Sequence, residues 1–223
     1  MLAQLPHIRN WIFDLDNTLY PAGSGLFRLI DVRMGEFVQG LLGCDAEEAH
    51  RVQKALFVSH GTTLSGLMKT HTVDPRAFLD YVHDIALDAI TGDPALKRAI
   101  ERLPGRKLIF TNGSDGHAGR VLAKLGLGDC FEAIHDIQAC DYVPKPDARA
   151  YASLCDRFGI DPAQSLFADD MPRNLAPAKA IGMTTLWIDN GSEDAGIGPC
   201  DSFIDHRTAD LGEWLNELMG EPA

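Results

Sequence analysis

Two aspartates, Asp14 and Asp16, stand at the end of an apolar run over residues 8–13 that only Arg9 and Asn10 interrupt. Alternate residues of an extended chain face the same side, so acids at this spacing can share one site. The run itself reads as a buried strand. Carboxylates at the edge of a core need a compensating cation or proton, because burying charge is costly. In open α/β sheets ligands bind beyond the carboxyl ends of strands, where this pair would sit. Taken alone, the pair fits a solvated acidic turn equally well.

Three further groups offer complementary chemistry. Thr111, Asn112, Gly113 and Ser114 follow a second apolar run and precede an expected helix. A hydroxyl, an amide and main-chain N–H groups at a helix start can hold a phosphate; they also make an ordinary turn capped by Ser114. Lys145 lies between Pro144 and Pro146. The flanking rings stiffen the backbone and would aim the ammonium group, although an isolated lysine is ordinarily a surface residue. Asp169 and Asp170 end another short apolar run, with Asn174 close behind. Adjacent acids suit a hard cation such as Mg2+, or cap the helix that follows.

The elements that must position these groups alternate. Strand-like segments at residues 107–112, 132–137, 165–168, 184–188 and 202–204 are interleaved with helix-like segments at 115–125, 147–158, 172–181 and 208–219. Such alternation predicts βαβ units around a parallel sheet. Residues 21–91 differ. Leu26, Ile30, Phe37, Val38, Leu41 and Leu42 fit one helical face, and Phe78, Val82, Ile85 and residues 87–90 fit another. Asp74 before Pro75 and Asp93 before Pro94 are helix starts of the N-cap and first-position proline kind. The expected organisation is a core of residues 1–20 and 92–223, with a helical insert at 21–91.

Composition narrows the partners. A net charge of −12 argues against nucleic acid or an anionic membrane. No run of about eighteen apolar residues exists, and residues 1–10 lack the pattern of a signal peptide, so a cytoplasmic protein is expected. Cys44, Cys130, Cys140, Cys155 and Cys200 show no Cys-x-x-Cys pair and are expected to be free thiols. His7, His50, His71, His117, His135 and His206 lack metal-ligand spacing, so no zinc site is expected.

The order and content of the four strand ends resemble the haloacid dehalogenase-like superfamily of phosphohydrolases, over most of the chain. The segment Phe13-Asp14-Leu15-Asp16-Asn17-Thr18-Leu19 is the most specific part of the likeness. The resemblance implies an α/β fold: a Rossmann-like three-layer core with a parallel sheet, and a small helical C1-type cap inserted after the first strand. It also implies a Mg2+ cofactor and a covalent aspartyl-phosphate. By the same likeness Asp14 is the nucleophile and a metal ligand. Asp16 passes protons and offers its main-chain carbonyl to the metal. Thr111, Asn112 and Gly113 hold phosphate, and Lys145 neutralises phosphate and nucleophile. Asp170 is the direct metal ligand, Asp169 assists it, and Asn174 stands where many relatives have an acid.

A narrower likeness is to the pyrimidine 5′-nucleotidases. It rests on residues 17–21 (Asn-Thr-Leu-Tyr-Pro), on Gly61-Thr62-Thr63-Leu64 with Gly66-Leu67, on Tyr81-Val82-His83-Asp84, and on Asp170-Met171-Pro172-Arg173-Asn174. It implies hydrolysis of UMP or CMP to nucleoside and phosphate. The partner is then a small phosphorylated substrate, with no nucleic acid or membrane, and the protein is a monomer or homodimer. His60, Thr62, Thr63 and His83 are candidates for base or ribose contacts, while helix capping and packing explain such residues as readily. Three rivals stand beside this reading: a phosphatase of small sugar or glycolate phosphates, a metal-free carbon–halogen hydrolase, and a non-catalytic protein that binds a phosphate ligand.

Overall fold

The computed structural model describes residues 5–192 and 202–220. Cys200 and residues 1–4 of the stretch read for a leader lie outside the described residues. Strands β1 (Asn10–Phe13), β2 (Arg106–Phe110), β3 (Ala133–His135), β4 (Ser165–Asp169), β5 (Thr184–Ile188) and β6 (His206–Thr208) form one sheet in the order β3-β2-β1-β4-β5-β6. Every neighbouring pair is parallel. The chain builds outward from β1 to β3, then returns to lay β4 on the other flank of β1. That reversal makes the crevice beyond β1 and β4 the switch point where such sheets take ligands.

Period-two alternation divides the core. Trp11, Phe13, Ile109, Leu166 and Ala168 face one way, against helices α5 (Pro94–Arg102), α6 (Asp115–Leu125) and α9 (Leu211–Met219). Ile12, Leu108, Phe110 and Phe167 face the other way, against α7 (Ala148–Phe158) and α8 (Pro172–Ala180). Helices on both faces of a parallel sheet make the three-layer, Rossmann-like α/β architecture. Its central strands read as continuous apolar runs because neither face meets water.

Between β1 and β2 run α1 (Leu26–Leu42), α2 (Ala46–His60), α3 (Thr63–Thr70) and α4 (Pro75–Val82). They share an apolar cluster of their own, including Ile30, Val38, Leu56, Leu67, Phe78 and Val82, which Ile137 joins from outside the insert. Asp74 and Asp93 cap α4 and α5, each followed by proline at the first helical position. Gly66 is needed for packing: a Cβ there would lie 2.7 Å from Leu56.

Three details depart from the periodicity. Leu41 is exposed rather than on the buried face of α1. Helix α4 stops at Val82, and residues 83–93 run through turns, because Arg120 takes the carbonyls of His83 and Ile85 as acceptors at 2.8 and 2.6 Å. The last strand begins at His206, not at residue 202. Opposite the start of β5, the Thr185 hydroxyl donates to the Phe203 carbonyl, and the Asp205 carboxylate accepts the Thr185 N–H. Side chains thus hold this approach, and the ladder opens only at Leu186 against His206.

Candidate active site

Asp14 follows β1 directly, and its N–H donates to the Ala168 carbonyl at 2.9 Å, so the register of β1 on β4 brings Asp14 beside Asp169 and Asp170. Carboxylate oxygens of Asp14, Asp169 and Asp170 lie within 4.8 Å of one another, all buried. Lys145 reaches this cluster from the loop after β3. Its ammonium donates to Asp14 Oδ1 at 2.7 Å, Asp169 Oδ2 at 2.7 Å and the Phe110 carbonyl at 2.8 Å. Asn112 brackets the lysine's backbone: its Oδ1 accepts the Lys145 N–H at 2.8 Å and its Nδ2 donates to the Lys145 carbonyl at 3.2 Å. A surface lysine would need no such bracket; this one is 1% exposed.

The two strand-end pairs are joined by Thr18. Its hydroxyl donates to Asp14 Oδ2 at 3.3 Å and accepts the Asp170 N–H at 3.1 Å. Asp169 is surrounded by donors, namely Lys145, the Met171 N–H and both contacts of the Asn174 amide at 3.0 Å. Asp170 has little such support. Burial drives its carboxyl well above the ordinary value, and the charges of Asp169 and Asp14 add to that. Burial also pushes Asp14 up to about 7 despite the Lys145 ammonium. Lys145 is itself disfavoured by burial, yet Asp14 and Asp169 outweigh this and hold its pKa above the ordinary lysine value.

If all three carboxylates were ionised, one ammonium would leave two negative charges in a buried site, and it is against this that burial raises Asp14 and Asp170. The amide oxygens of Asn17 and Asn174, also buried, have no donor. An all-oxygen set with this excess charge fits a hard divalent cation. Asp170 is the member with fewest protein donors, whereas Asp14 accepts from Lys145 and Thr18 and Asp169 from Lys145, Met171 and Asn174; all three could offer an oxygen to such an ion.

Asp16 faces a different set. Its Oδ1 accepts from the Tyr20 hydroxyl at 2.7 Å and pairs with His117 Nε2 at 3.0 Å. Burial works against its charge, but the His117 ring and Tyr20 overcome it, and Asp16 titrates below the usual carboxylate value. Sequence reasoning missed both partners of Asp16. Tyr20 had a local signal, four residues along from Asp16. His117 had none, since it lies 101 residues away and meets Asp16 only through the fold.

Above these groups is a cavity of about 410 Å³ between the strand ends and the insert, of the size that binds small molecules. Asp14, Asp16, Thr111, Asn112, Gly113, Lys145 and Asp170 line it; Asp169 lies beneath. The Gly113 N–H is taken by Thr111 Oγ1 at 2.9 Å, which fixes the turn, and Ser114 caps α6. From the insert, Thr62, Thr63 and His83 reach the cavity, and Thr62 also caps α3. His60 does not reach it; its ring bonds Ser59 at the end of α2. Among the described residues, Cys44, Cys130, Cys140 and Cys155 are free thiols, and no helix is long and apolar enough to cross a membrane.

Known proteins resemble this chain in sequence and fold. The chain is 27% identical over 195 residues to phosphate metabolism protein 8 of Saccharomyces cerevisiae, covering 80% of this chain and 60% of that protein's length. It is 28% identical to a phosphoglycolate phosphatase of Rhodospirillum rubrum, over 92% of this chain and 89% of the relative. A solved HAD phosphatase from Thermococcus onnurineus has the same fold, with a TM-score of 0.62 at 18% identity over 97% of this chain and 100% of that one. Residues 8–182, which carry β1 to α8 and every carboxylate of the cluster, match the model of the haloacid dehalogenase-like hydrolases, and the chain belongs to that family of hydrolases.

Proposed function

We propose that the chain is a Mg2+-dependent phosphomonoester hydrolase that works through an aspartyl-phosphate and acts on pyrimidine nucleoside monophosphates, UMP or CMP. Residues 21–91 form its cap, over a core of residues 1–20 and 92–223. The observation that carries the reading is the buried cluster of Asp14, Asp169 and Asp170, with Lys145 as its one ammonium.

Asp14 attacks phosphorus with a carboxylate oxygen, and the ester P–O bond breaks as the alcohol leaves. The leaving oxygen takes a proton from Asp16; water then attacks the phosphorus of the aspartyl-phosphate, gives its proton to Asp16, and frees phosphate and Asp14. In this scheme the proton is shared between Asp16 and His117, whose Nε2 lies 3.0 Å from Asp16 Oδ1. The ring and Tyr20 favour the ionised carboxylate that takes the proton of the attacking water. Thr111 and the remaining Asn112 N–H face the phosphate, and Lys145 holds Asp14 in line. Asp14, Asp170 and the main-chain carbonyl of Asp16 would hold Mg2+, with Asp169 assisting. When bound, the ion neutralises charge on the phosphate and on Asp14. Phosphoryl transfer needs mainly positioning and charge neutralisation, which is what this set of residues provides.

The nucleotide assignment draws on the motif likeness and on the cavity, where Phe27, Phe57 and Phe78 offer aromatic walls and Gln53 and Tyr142 polar edges. A second reading, a phosphatase of glycolate or small sugar phosphates, is favoured by the relative named for phosphoglycolate. Parallel rates of phosphate release from UMP, CMP, phosphoglycolate and a hexose phosphate, with Mg2+ and with EDTA, separate the two. Fastest turnover of UMP or CMP supports the proposal, and a preference for phosphoglycolate replaces it. Phosphate release that survives EDTA would remove the metal from the scheme. No release from any ester would leave a binding protein.

A further inference from the structure

His83 is the point where the insert meets the phosphate turn. It caps the end of α4, and its Nδ1 lies 2.9 Å from Ser114 Oγ, the residue that caps α6. Its ring lies parallel to that of His117, 4.2 Å between centroids and 10° between planes. Arg120 holds its main-chain carbonyl at 2.8 Å. Both backbone and ring are therefore fixed before any ligand arrives, the condition under which a single polar contact contributes fully to binding.

The protonated nitrogen can be assigned. Ser114 Oγ already accepts the His117 N–H as the cap of α6. The Ser114 hydroxyl is buried and needs an acceptor for its own hydrogen, and the one beside it is His83 Nδ1. Nδ1 is then the acceptor and Nε2 carries the hydrogen. Burial, reinforced by His117, lowers the His83 pKa to about 3, so the ring is neutral. Among the described residues Nε2 has no partner, and His83 lines the cavity together with Thr111 and Gly113.

We infer that His83 is a specificity-determining residue: its Nε2–H selects phosphate esters whose alcohol part carries an uncharged oxygen acceptor, such as a ribose oxygen or a base carbonyl. The inference rests on the phosphomonoesterase reading above. A neutral donor carries no charge to offset the burial of a second anionic group, which is costly, so the site favours nucleoside monophosphates over phosphoglycolate. An ester lacking an acceptor gains nothing from it.

The test is the ratio of kcat/KM for UMP to that for phenyl phosphate, whose alcohol part has no such oxygen, in wild type, His83→Leu and His83→Gln with Mg2+ present. The ratio should fall about tenfold in His83→Leu, the worth of one neutral hydrogen bond. It should recover in His83→Gln, which keeps an uncharged N–H near the Nε2 position. An unchanged ratio in His83→Leu, including equal losses on both esters, overturns the inference, as does a glutamine variant no better than leucine. Wild type inactive on both esters would instead overturn the phosphatase reading, and the inference with it.

Discussion

Two acidic pairs close neighbouring strands, and the protein treats the members of each pair in opposite ways. Asp169 is fully buried among donors from Lys145, Met171 and Asn174, whereas Asp170 faces the cavity with its carboxyl pushed up by burial. In the first pair, Tyr20 and His117 tie Asp16 and hold it below the usual value, while Asp14 is pushed up to about 7. Identical side chains one or two positions apart thus have different electrostatic fates. The donors around an acid, more than its place in the motif, decide whether it can take a cation, move a proton or only support its neighbours.

The contrast can be broken by substitution. Asp14→Asn should lower phosphate release from UMP on the order of 10⁴-fold while circular dichroism stays unchanged, since the amide still fits beside Lys145. A retained rate would remove Asp14 as the nucleophile. The second pair should then split. Asp169→Asn leaves the buried Lys145 short of a charged partner and should cost about 3–5 kcal/mol in urea unfolding. Asp170→Asn removes a buried carboxyl whose charged form lacks support, so the metal-free protein should be no less stable than wild type. It should, however, lose the stabilisation of about 2.7 kcal/mol that Mg2+ at a hundred times its Kd gives a single site. Equal effects from the two variants would erase the distinction between them.

Within the first pair, His117→Asn should lower kcat for UMP between about 10- and 100-fold, less than loss of a general acid outright, with a smaller change in KM. An unaltered kcat would make the Asp16–His117 pair structural. The smallest effect extends the comparison to a base. His135 is buried with neither ring nitrogen partnered, and burial lowers its pKa to about 4. The unfolded chain binds a proton near pH 6.5 that the folded protein refuses, so stability should fall as pH drops from about 6.5 towards 4. His135→Leu should flatten that slope in thermal melts; an identical slope would show that other groups control it.

Much of this was legible in the chain. The apolar runs of β1, β2, β4 and β5 are readable because both sheet faces are covered, and Ser114, Asp74 and Asp93 mark their helices through local hydrogen bonds. What escaped was set by tertiary partners. The late start of β6 follows from Thr185 and Asp205 bonding through side chains. The end of α4 is set by an arginine thirty-seven residues downstream. The division of labour between Asp169 and Asp170 depends on which donors the fold delivers, and adjacent identical letters carry no trace of it.

Lys145 adds an element of timing. An ammonium has three hydrogens, and Asp14, Asp169 and the Phe110 carbonyl occupy all three. It therefore has none to give an arriving ester. Once Asp14 carries the phosphoryl group, its oxygen becomes part of a neutral acyl linkage and a poor acceptor. In the proposed reaction the hydrogen it held is released beside the oxygens that have just arrived. The lysine would restrain the nucleophile before transfer and stabilise the phosphoryl group after it, changing partners without changing place.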